Sequence, residues 1–238
     1  MNFADMHIHA LFGVDDGPKT EQEMYALVDE AYACGTRVLC LTPHYHPGYF
    51  GENREKSETA FQLLTEYAGK KYPNLELYLG NELRYGPDAV SWLVEDACRT
   101  LNGTDCVLVD FRQDEKERNI VRGLESLMNG GYIPILAHAE RYSDLSERAI
   151  RDLSRNGVWI QLDVQSLFGT YGLGAGFRSK SLLKARLVDI VSSDAHSLGK
   201  RNPDLSKGYQ YVARKYSQEY ADAIFYENAV RILQGGSQ

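Results

Sequence analysis

Seven apolar runs rich in β-branched residues alternate with segments whose apolar residues fall at helical spacing, at intervals of about thirty residues. The runs are Phe3 to Ala10, Arg37 to Thr42, Leu75 to Leu79, Cys106 to Phe111, Ile133 to Ala137, Val158 to Val164 and Val188 to Ser192. Between them, helices are predicted from near Lys19 to Glu21 onward, with Met24, Leu27, Val28 and Ala31 on one face. Others are predicted across Glu52 to Lys71, after Pro87, across Glu115 to Asn129 and Leu145 to Arg155, and as a short stretch near Lys180 to Lys184. Such alternation demands a parallel sheet with crossover helices, either an open doubly wound sheet or a closed barrel. Ser206 to Leu233 reads as two terminal helices, with Tyr209, Val212, Ala213 and Tyr216 on one face, packing outside the sheet. Gly172 to Gly176 reads as a mobile rim loop.

The polar residues choose between the two architectures. The six histidines fall in four places, His7 with His9, His44 with His46, His138 and His196, each closing an apolar run. Carboxylates accompany them: Asp15-Asp16-Gly17 after the first run, Glu82 after the third, Asp110 in the fourth, Glu140 after the fifth and Asp194 after the seventh. An open sheet gathers a site at a switch point between two or three strands, whereas a ring brings all strand ends to one mouth. The expectation is therefore a distorted barrel of seven strand and helix units, forming one domain over residues 1–238. His7 and His9 are two apart on a strand, so they share a face and can grip one ion together. Imidazole mixed with carboxylate, without thiolate, suits manganese, iron or zinc better than a structural zinc knot.

The rest of the composition narrows the function. Cys34, Cys40, Cys98 and Cys106 show no Cys-x-x-Cys spacing, and none has an arginine five residues on, which disfavours a thiol-dependent phosphatase. A formal charge of -7 argues against broad adhesion to nucleic acid or anionic membranes. No stretch approaches the length of a membrane span and the N-terminus carries no secretory pattern, so the expected location is the cytoplasm.

These residues carry a resemblance. Asp5-Met6-His7-Ile8-His9, Gly13-Val14-Asp15-Asp16-Gly17-Pro18, Thr42-Pro43-His44, Gly80-Asn81-Glu82, Ala137-His138-Ala139-Glu140-Arg141-Tyr142 and Ser192-Ser193-Asp194-Ala195-His196 stand in the order of the polymerase and histidinol phosphatase (PHP) family. Within that family the chain resembles the bacterial manganese-dependent protein tyrosine phosphatases of capsule and exopolysaccharide operons. The resemblance implies a PHP-type, TIM-like (β/α)7 barrel and three divalent ions, manganese first, with iron or zinc possible. His7, His9, Glu82 and Asp194 would hold one ion. Glu82 would bridge to a second, completed by Asp110 and His138, and Asp16, His44 and His196 would hold the third. Asp110 stands where the family usually has glutamate and is the least certain ligand. His46 matches no ligand and reads as a rim residue, and Asp15 as a residue that caps or orients its loop.

Six positive charges on three such ions against the carboxylates of Asp16, Glu82, Asp110 and Asp194 leave about two positive charges, which suits a phosphate monoester dianion. Arg141 and Arg201 are expected to reach in from the rim and fork phosphate oxygens, and His196 or His46 to protonate a leaving group if one is needed. The implied reaction is hydrolysis of phosphotyrosine in protein by a metal-activated water. The implied substrate is the tyrosine-rich tail of a bacterial tyrosine kinase, with no nucleic acid partner and no membrane insertion. The alternatives are a histidinol-phosphate or other small-molecule phosphatase, and a regulator that binds a kinase tail without catalysis. The oligomeric state is left open.

Overall fold

The computed structural model describes residues 2–50 and 53–236. Its strands are β1 (Phe3–Ile8), β2 (Thr36–Leu41), β3 (His44–Tyr45), β4 (Glu76–Leu79), β5 (Glu82–Arg84), β6 (Cys106–Asp110), β7 (Ile133–Leu136), β8 (Trp159–Asp163) and β9 (Ile190–Ser192). The helices are α1 (Glu21–Ala33), α2 (Arg54–Lys71), α3 (Ala89–Val94), α4 (Glu117–Asn129), α5 (Glu147–Arg155), α6 (Leu173–Lys184), α7 (Ser206–Lys215), α8 (Gln218–Asp222) and α9 (Asn228–Leu233). Local chemistry sets several boundaries. Thr20 and Glu23 form a reciprocal capping box at the start of α1, and Ser146 caps α5.

The nine strands make seven staves, because two are interrupted. Pro43 has no N–H to donate, so the second stave breaks between β2 and β3, and the third breaks at Gly80-Asn81 between β4 and β5. Ladder contacts survive the breaks: the Gly80 N–H donates to the Leu41 carbonyl at 2.9 Å and the Glu82 N–H to the Pro43 carbonyl at 3.1 Å. All pairings are parallel. One sheet runs β1-β2-β4 and the other β3-β5-β6-β7-β8-β9. A bridge between Ile8 and Ala195 joins the last stave to the first, with the Asp194 N–H donating to the His7 carbonyl and the His9 N–H to the Ala195 carbonyl, each at 2.9 Å. The result is the distorted parallel α/β barrel that the strand ends predicted.

Every residue of β1, β6 and β8 is buried, as expected where a ring fills one face and helices cover the other. The lumen is packed by alternate residues: Ala4 and Met6, Val38 and Cys40, Cys106 and Leu108, Ile135 and Ala137. Continued toward the C-terminal ends, this alternation adds Asp110 above Leu108, and Ser192 then Asp194 above Ile190. The site is thus the top layer of the barrel filling.

Two sequence expectations need correction. Leu173–Lys184 is one helix, so the glycine-rich stretch after Gly172 is its first turns rather than a mobile loop; the glycines hid a helix whose Leu182 and Leu183 are buried. The terminal helices do not all pack outside. α7 lies on the outer core through Tyr209 and Val212, but Ala229, Ile232 and Leu233 of α9 join the lumen cluster and plug the barrel opposite the site. The second helix begins at Arg54, and the Glu52 end of its predicted span lies outside the described residues. No described helix is long and apolar enough to cross a membrane.

Candidate metal centre

Glu82 is the hub of the barrel mouth. Buried at the start of β5, it lies 3.4 Å from His7 Nε2, 3.3 Å from His9 Nε2, 2.7 Å from His44 Nδ1 and 3.0 Å from His138 Nε2. Asp194 completes the near side, with Oδ1 3.4 Å from both His7 Nε2 and His9 Nε2. Asp16 closes the far side, 3.1 Å from His196 Nε2 and 3.4 Å from His44 Nε2. The donor atoms fall into three groups, each within 4.8 Å: His7, His9 and Asp194; Glu82, Asp110 and His138; and His9, Asp16, His44 and His196. All nine sequence-predicted ligands are therefore brought together, with His9 reaching into two groups. His46 joins none of them. It stacks on Tyr49 at 4.5 Å.

Backbone strain aims two of these side chains. His138 and Asp194 sit just past β7 and β9 with φ of 35° and 48°, in the left-handed region. Hydrogen bonds hold them there: the His138 N–H donates to Gln161 Oε1 at 2.8 Å, and the Asp194 N–H to the His7 carbonyl. Gly17 serves the Asp15-Asp16 loop differently. A Cβ there would stand 2.3 Å from the His9 carbonyl oxygen, so only glycine lets the loop fold back over the end of β1.

The far nitrogens of the imidazoles are also engaged. His9 Nδ1 lies 2.7 Å from Asp15 Oδ2, His7 Nδ1 3.3 Å from Gln161 Oε1, and His196 Nδ1 2.9 Å from the Asp194 carbonyl. Partners of this kind fix ring orientation and raise the basicity of the nitrogen turned inward. Asp15 thereby orients both His9 and, by accepting from the His44 N–H at 3.0 Å, the second stave.

The residues fit divalent ions. The donors are imidazole and carboxylate, none of the four free thiols is among them, and Asp110 Oδ1 is buried without a hydrogen-bond partner. Without metal the cluster carries protons instead. Burial works to lower the His7 pKa, but the Glu82 and Asp194 carboxylates overcome it and push it up to about 9; against the same burial, Glu82 and Asp16 hold His44 up to about 11. Burial and the charge of Glu82 push Asp110 up to about 8, while burial and Arg141 bring His138 down to about 4. A cation must expel the protons on His7, His44 and Asp110, so loading will strengthen as pH rises. Manganese affinity measured by equilibrium dialysis is expected to be weaker at pH 6.5 than at pH 8, by about tenfold per pH unit for each proton displaced. Affinity flat across that range would contradict this protonation pattern.

A cavity of about 160 Å³ opens over this cluster, and three guanidinium groups line it. Arg141 is not a rim residue. Its side chain is only 8% exposed, bonded to Asp163 and to Asp194 Oδ2 at 2.7 Å, and stacked on the Tyr171 ring at 3.7 Å. Arg201 bonds Asp194 Oδ1 at 2.9 Å and Arg84 bonds Asp110 Oδ2 at 2.7 Å. Arg84, Tyr171, Gln161 and Asp163 were not singled out from the sequence. The last two sit inside an apolar run that reads as strand core, and the signal was the pair of polar residues two apart within it. Glu140 is not a donor in any group; its buried carboxylate accepts from Ser166 Oγ at 2.5 Å.

Known proteins resemble this chain over nearly its whole length. The family profile described as capsular polysaccharide synthesis, CpsB/CapC, matches residues 3–234. Tyrosine-protein phosphatase CpsB of Streptococcus agalactiae serotype III (strain NEM316) is 31% identical over 237 residues, covering 97% of this chain and 98% of that protein. Tyrosine-protein phosphatase YwqE of Bacillus subtilis (strain 168) is 28% identical, covering 97% of this chain and 91% of that protein. Among solved structures, a chain from the work on YwqE and on CpsB from Streptococcus pneumoniae, described as unique metal-dependent tyrosine phosphatases, superposes with a TM-score of 0.89 at 26% identity, covering 100% of this chain and 97% of that one. A mutant organophosphorus hydrolase from Deinococcus radiodurans, with a TM-score of 0.64 at 14% identity and coverage of 98% and 92%, shares the fold alone. With its matched span, its barrel and its PHP-type strand-end residues in agreement, this chain belongs to the CpsB/CapC family of capsular polysaccharide synthesis proteins.

Proposed function

We propose that the chain is a metal-dependent phosphatase that hydrolyses phosphotyrosine in protein. In this reading it acts in the cytoplasm on the tyrosine-rich tail of a bacterial tyrosine kinase and so regulates capsule or exopolysaccharide synthesis. The observation that carries the reading is the junction of three nitrogen and oxygen donor groups around Glu82 beneath a cavity lined by arginines. His7, His9, Glu82 and Asp194 would hold one ion, Glu82, Asp110 and His138 a second, and Asp16, His44 and His196 a third, with manganese the favoured metal. Such ions, when bound, lower the pKa of water into the neutral range and take up charge on phosphate oxygens.

The chain's own groups do the rest. Arg141 and Arg201 converge on Asp194 from two sides, which sets their guanidinium planes at the wall where a phosphate would enter. Tyr171 covers one face of Arg141, whose Nη2 donates to both Asp163 and Asp194, so the guanidinium is organised before substrate arrives. His196 serves as a ligand rather than an acid: one ring nitrogen faces the Asp194 carbonyl and the other Asp16. A phenolate leaves without strong acid assistance, so no further proton donor is required.

The test is a substrate comparison with manganese-loaded enzyme. A phosphotyrosine peptide is expected to exceed histidinol phosphate in kcat/KM by at least about tenfold, on the scale that a pocket contact discriminates, and a phosphate bis-ester is expected to be inert. Preference for histidinol phosphate would overturn the substrate and leave the metal chemistry standing. Phosphotyrosine peptide bound but not turned over would instead favour the kinase-tail regulator.

A further inference from the structure

Arg84 and Asp110 are register partners across the β5 and β6 ladder, and the salt bridge between them, at 2.7 Å, engages the Asp110 carboxylate of the Glu82, Asp110 and His138 donor group. Arg84 is two residues beyond Glu82 on the same strand, so its side chain leaves on the Glu82 side, toward the cavity that it helps to line. Asp110 has one oxygen on Arg84 and the other buried without a hydrogen-bond partner. The short aspartate side chain keeps its carboxylate beside its own strand end, within reach of the arginine.

The arginines on Asp194 differ in one respect. Arg141 also holds Asp163, and Arg201 has Asp16 at 3.7 Å, so each has a second carboxylate. Among the described residues, Arg84 has Asp110 alone. A guanidinium cannot shed its charge near neutral pH, so a cation approaching Asp110 meets a fixed positive charge with no second carboxylate beside it among the described residues. The group also holds one imidazole, against two around Asp194 and three around Asp16.

We infer that Arg84 competes with the divalent cation for Asp110, which makes the Glu82, Asp110 and His138 position the weakest of the three and the last to fill. The inference rests on the metallophosphatase reading above. When that position fills, Arg84 loses its carboxylate and becomes available to a substrate phosphate at the same cavity wall. Loading of the last cation and capture of the phosphate are thereby tied to one side chain.

Metal-stripped full-length protein, dialysed to equilibrium against graded free manganese and analysed for bound metal, tests this directly. Wild type is expected to show two tighter events and one weaker, with Asp110→Asn deleting only the weaker. Arg84→Gln should tighten the weaker event at least about tenfold, since a like charge a few ångströms away has gone, while Arg84→Lys keeps the charge and should leave it weak. Thermal unfolding of each variant, with Arg84 partly exposed, checks that the fold is retained. An Arg84→Gln curve that superimposes on wild type or shifts to weaker binding would overturn the inference, as would equal tightening by Arg84→Lys or loss of a tight event in Asp110→Asn. Wild type that binds no manganese would overturn the metal-centre reading itself.

Discussion

Asp194→Asn will lower phosphatase kcat/KM by about a thousandfold or more and reduce bound manganese, while the chain still folds. Asn keeps the volume and tolerates the left-handed backbone of this position, so the change removes charge and little else. That charge faces His7 and His9 at 3.4 Å and two guanidinium groups at 2.7 and 2.9 Å. Burial works to raise the Asp194 pKa, but His7 and the two arginines hold it well below the ordinary carboxylate range, so it stands ready as an anionic ligand. Loss of one anionic ligand weakens ion binding and charge neutralisation together, and a thousandfold corresponds to about 4 kcal/mol of transition-state stabilisation. Steady-state kinetics with metal analysis of the same sample check it. Near-normal activity with a full metal complement would remove Asp194 from the centre.

Arg141→Lys is expected to cost about a hundredfold in kcat/KM, because lysine keeps the charge but cannot reproduce the fork. The Arg141 guanidinium is held at one nitrogen by Asp163 and Asp194 and across its face by the Tyr171 ring, which leaves its other N–H groups for phosphate. An ammonium could replace the one nitrogen that meets both carboxylates but would offer a single point of charge to phosphate. The loss should appear in KM as well as kcat, since the same fork contacts substrate and transition state. A variant that folds, keeps its metal and retains more than half of the wild-type kcat/KM would reduce Arg141 to a wall residue.

What the sequence disclosed follows from where polar groups are tolerated. Parallel strands buried on both faces read as unbroken apolar runs, so histidines and acids at their ends stand out, and Glu82, Asp110 and Asp194 were visible for that reason. Residues that act through others were harder to see. Gln161 and Asp163 alternate with apolar neighbours inside a run that reads as strand core, yet both point at the site and orient His7, His138 and Arg141. Arg84 ends the short β5, where a charged residue reads as surface, and only the β5–β6 register reveals its partner Asp110. The plugging role of α9 depends on which end of the barrel the chain returns to, and periodicity carries no such information. The break at Pro43 was legible in principle from the missing donor, although a two-residue β3 beyond it lies below the length that a pattern can identify.

In this reading the interlocked donors around Glu82 are a metal centre on which phosphotyrosine hydrolysis depends. Protein stripped with a chelator, freed of it by dialysis and assayed on a phosphotyrosine peptide before and after manganese is restored tests that dependence. Stripping is expected to remove nearly all turnover and reloading to restore it, with bound manganese and activity rising together. Full activity in protein shown to hold no metal would contradict it.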